Sequence, residues 1–287
     1  MPATQIFRNR VAVLFDFDLT LAPDSFTHLL RACGIDDPDA WRDEHVRPLV
    51  EDGWEQILAR TWSLVQLSSS KHGPCVTSEI MHRSGQSIQP YEGVPEMFGA
   101  LRRRAEAVLP GLEVEFYLLT SGFLDMQRAA PFAGEFKAMW GTEFHFDGND
   151  GIAFPRRIVT HPEKSRYILQ LSKGTGTEGP NAPADVHRDV PDEQIHVPLD
   201  QVIYVGDGGS DMAAFALLHE NGGIAIAVYK SEQAQDWSGQ AEMYARRRVQ
   251  NLAPVDFRTE SELMRSLTLA VESIGKRVAL RKLGAGQ

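Results

Sequence analysis

Val11-Ala12-Val13-Leu14-Phe15-Asp16-Phe17-Asp18-Leu19-Thr20 is the stretch whose reading decides the fold. Val11–Phe15 is short, apolar on both faces and rich in β-branched and aromatic residues, as in a buried parallel strand. In an open α/β sheet, ligands collect beyond the carboxyl ends of the strands. Asp16 and Asp18 fall at that edge, and alternation along an extended backbone points both side chains the same way. Two carboxylates about 4 Å apart, at an effective dielectric of about 20, repel by roughly 4 kcal/mol. A proton, a lysine or a metal ion must offset that cost. The plainer reading of the stretch is a polar turn that closes a core strand.

Three later stretches have the same form. Val114–Leu119 is apolar and ends in Thr120-Ser121-Gly122, where hydroxyls and backbone N–H groups can hold phosphate oxygens at a helix start near Phe123. Ser, Thr and Gly are also ordinary capping residues. Pro162–Leu171 has a helical pattern with Lys164 in its first turn, a place where a lysine is usually solvated. Gln201–Val205 runs into Gly206-Asp207-Gly208-Gly209-Ser210-Asp211. Its glycines permit a tight turn. A calcium loop is excluded there, because the alternating acidic pattern and the distant glutamate are missing; a plain glycine turn stays open.

Around these anchors, strands alternate with helices, which gives an α/β fold with a parallel sheet. Glu96–Ala107 and Met212–His219 read as helices, and Gly141–Phe146 and Gly223–Tyr229 as strands. Ser231–Arg248 reads as a helix, Pro254–Phe257 as a short last strand, and Thr259 as the cap of a final helix of about twenty residues. Residues 26–90 carry a helical pattern and form an insert after the first strand, beside the strand ends, where it can act as a lid. Within it Trp54, Leu58, Trp62 and Val65 fall on one helical face, and with Trp41 they read as the insert's own core. Residues 173–192, rich in Gly, Pro and Asp, read as an exposed excursion.

Composition narrows the function classes. The chain of 287 residues is 43% hydrophobic, enough for one large domain or two modest ones. Its net charge of −10 argues against nucleic acid or an anionic membrane as a partner. An acidic enzyme with an anionic substrate must therefore concentrate positive charge locally. Cys33 and Cys75 form neither a redox nor a metal pair. The N-terminal residues lack a signal pattern and no apolar run approaches a membrane span, so the cytoplasm is the expected location.

In order, the anchors are Asp-x-Asp-x-Thr, Thr-Ser-Gly, Lys and Gly-Asp-Gly-x-Ser-Asp. This series resembles the four signature motifs of the haloacid dehalogenase (HAD) superfamily, and its layout is most similar to the phosphoserine-phosphatase-like branch. The resemblance implies a Rossmann-like three-layer core of residues 1–22 and 91–287, with residues 23–90 as a helical cap. It implies a Mg²⁺-dependent phosphatase acting on a small phosphorylated metabolite. Asp16 would be the nucleophile, forming an aspartyl-phosphate, and Asp18 the general acid and base. Thr120, Ser121, Gly122 and Lys164 would hold the phosphoryl group. Asp16, Asp207 and the backbone carbonyl of Asp18 would ligate Mg²⁺. Thr20, Gly208, Ser210 and Asp211 would support that cluster, with Ser210 standing where many relatives have Asn. Asp24 and Ser25 lie where relatives place substrate contacts. Asp18 favours phosphoryl transfer, because dehalogenases of the superfamily lack it. Ca²⁺, with more ligands at longer distance, should misplace the nucleophile and inhibit. Arg31, Arg42, Arg47, Lys71, His72 and Arg83 are the insert's cations that can meet an anionic substrate or simply be solvated. A phosphotransferase or mutase on the same fold, and a non-catalytic binding protein, are the alternatives.

Overall fold

The computed structural model describes residues 6–69, 76–175, 186–187, 189–230 and 248–285. Among the described residues seven strands form one sheet in the order β4-β3-β2-β1-β5-β6-β7. They are β1 Arg10–Phe15, β2 Glu113–Phe123, β3 Ala138–Phe146, β4 Ile152–Arg157, β5 Val202–Gly206, β6 Ile224–Tyr229 and β7 Asn251–Pro254. All neighbours are parallel except β3 and β4, an antiparallel hairpin at one edge. Pro155 in β4 fits that edge position, where a missing backbone N–H is tolerated.

The period-two alternation of the central strands splits the core into two layers. Val11, Val13 and Phe15 of β1 face one apolar cluster with Phe116, Leu118, Ile203 and Val205. Ala12 and Leu14 face the other, with Tyr117, Val202 and Tyr204. Helices α6 (Val94–Val108) and α10 (Glu262–Ala285) cover the first face. Helices α8 (Glu163–Lys173) and α9 (Met212–Glu220) cover the second. The three-layer parallel core expected from the sequence is therefore present.

Between β1 and α6 the described residues form five helices: α1 Ser25–Ala32, α2 Pro38–His45, α3 Arg47–Glu51, α4 Gln56–Ser68 and α5 Ser78–Ser87. Four of these N-termini are written in local chemistry: Asp24, Asp37, Glu55 and Thr77 each accept backbone N–H groups of the first turn of α1, α2, α4 and α5. The insert is seated on the sheet rather than hung above it. Ser68 Oγ accepts from Ile152 N at 2.8 Å, and Gly85 packs so closely on the short helix α7 (Leu124–Gln127) that a Cβ there would lie 2.0 Å from Met126 O. Where the chain enters and leaves the insert, Tyr91 N donates to Leu21 O at 2.9 Å.

Several expectations are corrected. Of the face expected over Trp54, Leu58, Trp62 and Val65, Trp54 just before α4 and Leu58 and Trp62 on it are at the surface, at 39%, 39% and 42% exposure, while Val65 is buried, as is Trp41. Helix α4 instead buries Ile57, Ala59, Thr61, Ser63, Leu64, Val65 and Ser68. Thr61 and Ser63 return their hydroxyls to the carbonyls of Ile57 and Ala59, so a small, hydroxylated face can be buried without an unpaired donor. The last strand is Asn251–Pro254, not Pro254–Phe257, because Phe257 N leaves the ladder to bond Glu92 O. Ser261, not Thr259, caps the final helix, accepting from Met264 N at 3.1 Å. The helix expected over Ser231–Arg248, most of the 173–192 excursion, Cys75, Lys71 and His72 lie outside the described residues. No helix among the described residues is long and apolar enough to cross a membrane.

Candidate active site

Strands β2, β1 and β5 are adjacent and parallel, so their carboxyl ends place Thr120, Asp16 and Asp207 side by side. Asp16 follows β1 directly and its N–H donates to Val205 O at 2.9 Å, which continues the ladder by one residue. Lys164 enters from the first turn of α8 and is fully buried. Its ammonium lies 2.9 Å from Asp16 Oδ2 and 2.6 Å from Asp211 Oδ1, and donates to Ser210 Oγ at 2.9 Å. The sequence's default of a solvated lysine is overturned: burial works to strip its proton, but Asp16 and Asp211 outweigh it and hold the pKa above that of an ordinary lysine.

Asp211 is fully committed. Oδ1 accepts from Lys164 and, at 2.7 Å, from the Tyr204 hydroxyl; Oδ2 accepts from Gly208 N at 3.2 Å. The glycines of this loop are required by that arrangement. Gly208 has φ +98°, and a Cβ on Gly206 would lie 2.1 Å from Asp211 Oδ2. Ser210 Oγ donates to Asp16 Oδ2 at 3.2 Å. The Asp207 carboxylate has no hydrogen-bond partner among the described residues.

Carboxylate oxygens of Asp16, Asp207 and Asp211 lie within 4.8 Å of one another. Three carboxylates face one ammonium, so the cluster lacks positive charge. Burial, then the neighbouring Asp211 and Asp16 charges, push the Asp207 pKa well above the carboxylate range; burial likewise raises Asp16 against the pull of Lys164. An all-oxygen, partly unsatisfied donor set of this kind fits a hard divalent cation such as Mg²⁺.

Asp18, two residues beyond Asp16, lies beside Gly122 of β2. The chain turns sharply after it, with Leu19 at φ +59° and the Phe17 carbonyl accepting from Leu21 N at 2.9 Å. Asp18 Oδ1 accepts from Ser25 N at 2.7 Å. Burial, and then Asp24, raise the Asp18 carboxyl to about 7 against that hydrogen bond; Asp16 contributes less. The repulsion expected between Asp16 and Asp18 is thus a minor part of the balance. Lys164 compensates Asp16, and a proton can compensate Asp18.

Facing Asp18 is the Thr120-Ser121-Gly122 stretch. It stays within β2, which runs to Phe123, and α7 that follows has only four residues. The helix start expected at this point is a single turn, so hydroxyls and backbone N–H groups are what the stretch offers an anion. Thr120 Oγ1 accepts from Gly122 N at 2.9 Å. A Cβ on Gly122 would lie 2.5 Å from Gln127 Nε2, 2.7 Å from Asp18 Oδ2 and 3.1 Å from Thr120 Oγ1. Glycine is therefore required here, because it lets three polar groups close on the backbone where a Cβ would clash. Thr20 Oγ1, Ser121 Oγ, the Tyr91 hydroxyl and both polar atoms of Gln127 are buried without a partner. Buried polar groups are nearly always paired, so a cluster of orphans marks a place for water or a ligand.

Of the insert's candidates, Asp24 accepts from Thr27 N at 3.1 Å and is ion-paired with Arg42, whose Nη2 also donates to Thr27 Oγ1 at 2.7 Å. Burial pushes the Asp24 carboxyl up, but Thr27 and Arg42 outweigh it and hold the pKa below the ordinary value. Arg42 and Arg60 flank the Phe26 ring at 4.9 and 5.6 Å. Arg47 and Arg83 are exposed and pair with Asp43 and Glu79 on their own surfaces, and Arg31 is exposed. Sequence reasoning missed Gln127, Tyr91 and Tyr204. A single turn of helix has no periodicity to mark Gln127, and Tyr204 looks like any strand aromatic.

No family model matches the chain. A curated protein of Borreliella burgdorferi, described only as uncharacterized, is 22% identical over 233 residues, 74% of this chain and 79% of that one. A solved phospho-aspartyl intermediate analogue of phosphoserine phosphatase superposes with a TM-score of 0.56 at 15% identity, over 91% of this chain and 99% of its own. The fold is the HAD fold, in its phosphoserine-phosphatase-like form. A HAD family hydrolase from Salmonella enterica serovar Typhi gives 0.58 at 12% identity, over 92% of this chain and 72% of its own. A substrate-bound phosphoserine phosphatase gives 0.55 at 14% identity, over 91% and 99%. At these identities the likeness carries the HAD fold, and the chemistry must be argued from the side chains.

Proposed function

We propose that the protein is a divalent-cation-dependent phosphatase of small phosphomonoesters, working through an aspartyl-phosphate. The observation that carries this is the buried Lys164 between Asp16 and Asp211, with the unpartnered Asp207 carboxylate within reach of Asp16. A carboxylate in that setting is held rigidly at the end of β1 and supplied with positive charge on one side. One of its oxygens attacks phosphorus while the bond to the ester oxygen breaks. Lys164, Thr120 Oγ1 and the Ser121 hydroxyl meet the charge on the phosphoryl oxygens. Asp18 gives its proton to the departing alkoxide. It then takes one from the water that attacks the aspartyl-phosphate, which frees phosphate and restores Asp16. A carboxyl raised to about 7 is matched to both roles near neutral pH.

Asp16 and Asp207, with the backbone carbonyl of Asp18, would hold Mg²⁺, which when bound supplies the positive charge that lets two anions approach. Asp211 serves from behind, fixing Lys164 and the Gly206–Ser210 loop. In this reading residues 23–90 form the cap over a core of residues 1–22 and 91–287. The solved phosphoserine phosphatases of this fold, one a phospho-aspartyl intermediate analogue and one a substrate-bound complex, support the mechanism by analogy. The test is hydrolysis of p-nitrophenyl phosphate with Mg²⁺, with EDTA and with Ca²⁺, for wild type and Asp16→Asn. Turnover with Mg²⁺ that EDTA, Ca²⁺ and the substitution each abolish is expected. Metal-independent turnover, or turnover that survives in Asp16→Asn, refutes the proposal.

A further inference from the structure

Two strong donors share one oxygen behind the nucleophile, and the second has no task in the reading above. Asp211 Oδ1 accepts from Lys164 Nζ at 2.6 Å and from the Tyr204 hydroxyl at 2.7 Å. An ammonium has three N–H groups, and those of Lys164 are all spent, on Asp16 Oδ2 at 2.9 Å, on Asp211 Oδ1 and on Ser210 Oγ. Its hold on Asp16 therefore competes with its hold on Asp211. Tyr204 is fully buried, and a hydroxyl at that depth is costly unless it is bonded. Leu119 O, the other acceptor near it, lies at 3.4 Å, too far for a strong bond. Phe215 of α9 meets the Tyr204 ring edge-on, with centroids 5.8 Å apart, so the fold fixes where the hydroxyl points. Burial, and then the Asp211 and Asp16 charges, hold the phenol pKa well above its ordinary value, which keeps the group a donor.

We propose that Tyr204 is a positioning residue for phosphoryl transfer: by donating to Asp211 Oδ1 it weakens that carboxylate's claim on Lys164 and keeps the ammonium shared with Asp16. This rests on the phosphatase reading above and goes beyond its motif residues. As an Asp16 oxygen bonds to phosphorus and the ester bond breaks, negative charge leaves the Asp16 carboxylate, and the phosphoryl oxygens carry the charge that the ammonium must meet. The N–H that served Asp16 Oδ2 follows that charge. How far it follows depends on how tightly Asp211 holds the same ammonium. Without the phenol, Asp211 Oδ1 keeps Lys164 as its one close donor among the described residues, since Ser210 Oγ lies at 3.5 Å. The ammonium is then drawn toward Asp211 and away from Asp16. The interaction lost is one made in the chemical step, so the cost falls on kcat rather than on KM. A hydrogen bond to a charged group of this kind corresponds to roughly 10- to 100-fold in rate.

The experiment measures p-nitrophenyl phosphate hydrolysis with Mg²⁺ for wild type, Tyr204→Phe and Phe215→Leu, and follows the Lys164 ammonium of each by heteronuclear NMR in EDTA. Tyr204→Phe keeps the ring and removes the hydroxyl, whereas Phe215→Leu loosens the ring and keeps the hydroxyl. Tyr204→Phe is expected to lose roughly 10- to 100-fold in kcat with KM within about threefold of wild type. Phe215→Leu should hold kcat within about threefold, which it would not do if Tyr204 mattered only as packing. In metal-free protein the Lys164 ammonium signal should shift further in Tyr204→Phe than in Phe215→Leu. A Tyr204→Phe kcat within about threefold of wild type, a loss carried by KM alone, an equal loss of kcat in Phe215→Leu, or a Lys164 signal that Tyr204→Phe leaves in place overturns the inference while wild type is still a phosphatase. If wild type does not hydrolyse the ester, the phosphatase reading falls and this inference falls with it.

Discussion

Replacing Asp18 by Asn tests the electrostatic account of the site most directly, because it should make the protein more stable as it makes it inactive. Burial and the neighbouring Asp24 raise the Asp18 pKa from 3.8 to about 7. Each unit is about 1.4 kcal/mol, so ionising this group in the folded protein costs about 4 kcal/mol more than in the unfolded chain. Asp18 is only half-buried by surface area, and solvent screening brings the expected figure down to about 2 kcal/mol. The sign follows from proton linkage. Between pH 3.8 and about 7 the folded state binds the proton that the unfolded state has released. Stability is then fully present below the lower value and is lost as pH rises through the upper one. Asn has no such titration, and its Oδ1 can still accept the Ser25 N–H that Asp18 accepts at 2.7 Å.

Thermal melts of both proteins in EDTA, at steps from pH 4 to pH 9, give the required measurement. The two should melt together near pH 4 and diverge through neutrality. Above pH 8 the variant should lead by a constant margin of roughly 3–6 °C, from about 2 kcal/mol in a chain of this size. Its phosphatase turnover should be about 10²- to 10⁴-fold lower. A margin that is independent of pH, or a variant that is less stable than wild type at pH 8, refutes the claim that Asp18 is held as a strained, proton-binding carboxyl.

The other predictions concern the rest of the charge network and the seating of the insert. Lys164→Met leaves Asp16 and Asp211 buried without their cation and should cost about 3–5 kcal/mol in metal-free protein at pH 8, read from denaturant midpoints; an unchanged midpoint would show that the pair is not what neutralises the cluster. At the opposite end of the sheet burial pushes Glu115 up, but His196, Lys137 and Tyr117 outweigh it and bring its pKa from 4.5 to about 2. The stability this supplies, about 3 kcal/mol, is present above pH 4.5 and lost as pH falls through about 2, so wild type and Glu115→Gln should differ at pH 7 and converge in acid. Gly85→Val drives a Cβ into Met126 O and should lower the urea midpoint by the equivalent of about 1–3 kcal/mol, whereas no change would mean that α5 does not seat on α7. Trp62→Ala should cost less than about 1 kcal/mol, because the ring is 42% exposed; a loss of 3 kcal/mol or more would return it to the core.

What the sequence made legible, and what it hid, divides along physical lines. The central strands could be read because both faces of β1, β2 and β5 are covered, so their apolar runs are continuous. Asp16, Thr120 and Asp207 could be read because each follows or closes a buried apolar strand, and Lys164, in the first turn of α8, because the order of the four resembles a known motif series. The buried side of α4 could not, because Thr61 and Ser63 satisfy their own hydroxyls within the helix while the larger tryptophans, which dominate the pattern, stay outside. Strand β4 was missed because exposed Phe154 and Pro155 blur the alternation on an edge. Val255 and Phe257 looked like strand residues; Val255 N still donates to Tyr229 O at 2.8 Å, but Phe257 N turns away to Glu92 O.

Gln127 was hidden for a different reason, and the reason bears on how the site works. Lys164, Asp211, Tyr204, Ser210 and Gly208 N bond one another, and that network is what holds Asp16, while Asp207 stays without a hydrogen-bond partner among the described residues. The buried hydroxyls of Thr20, Ser121 and Tyr91 and the Gln127 carboxamide are left open. Each open group costs the folded state about 1–3 kcal/mol unless water or a ligand meets it. A fold retains such groups where a ligand pays the cost back, which is the usual exchange of stability for function. The bonded network is built from residues that close strands or open helices and so leaves a recognisable sequence pattern. The open groups are scattered from Thr20 to the single turn ending at Gln127. Their logic lies in the positions of unpaired atoms, which no spacing in the sequence encodes.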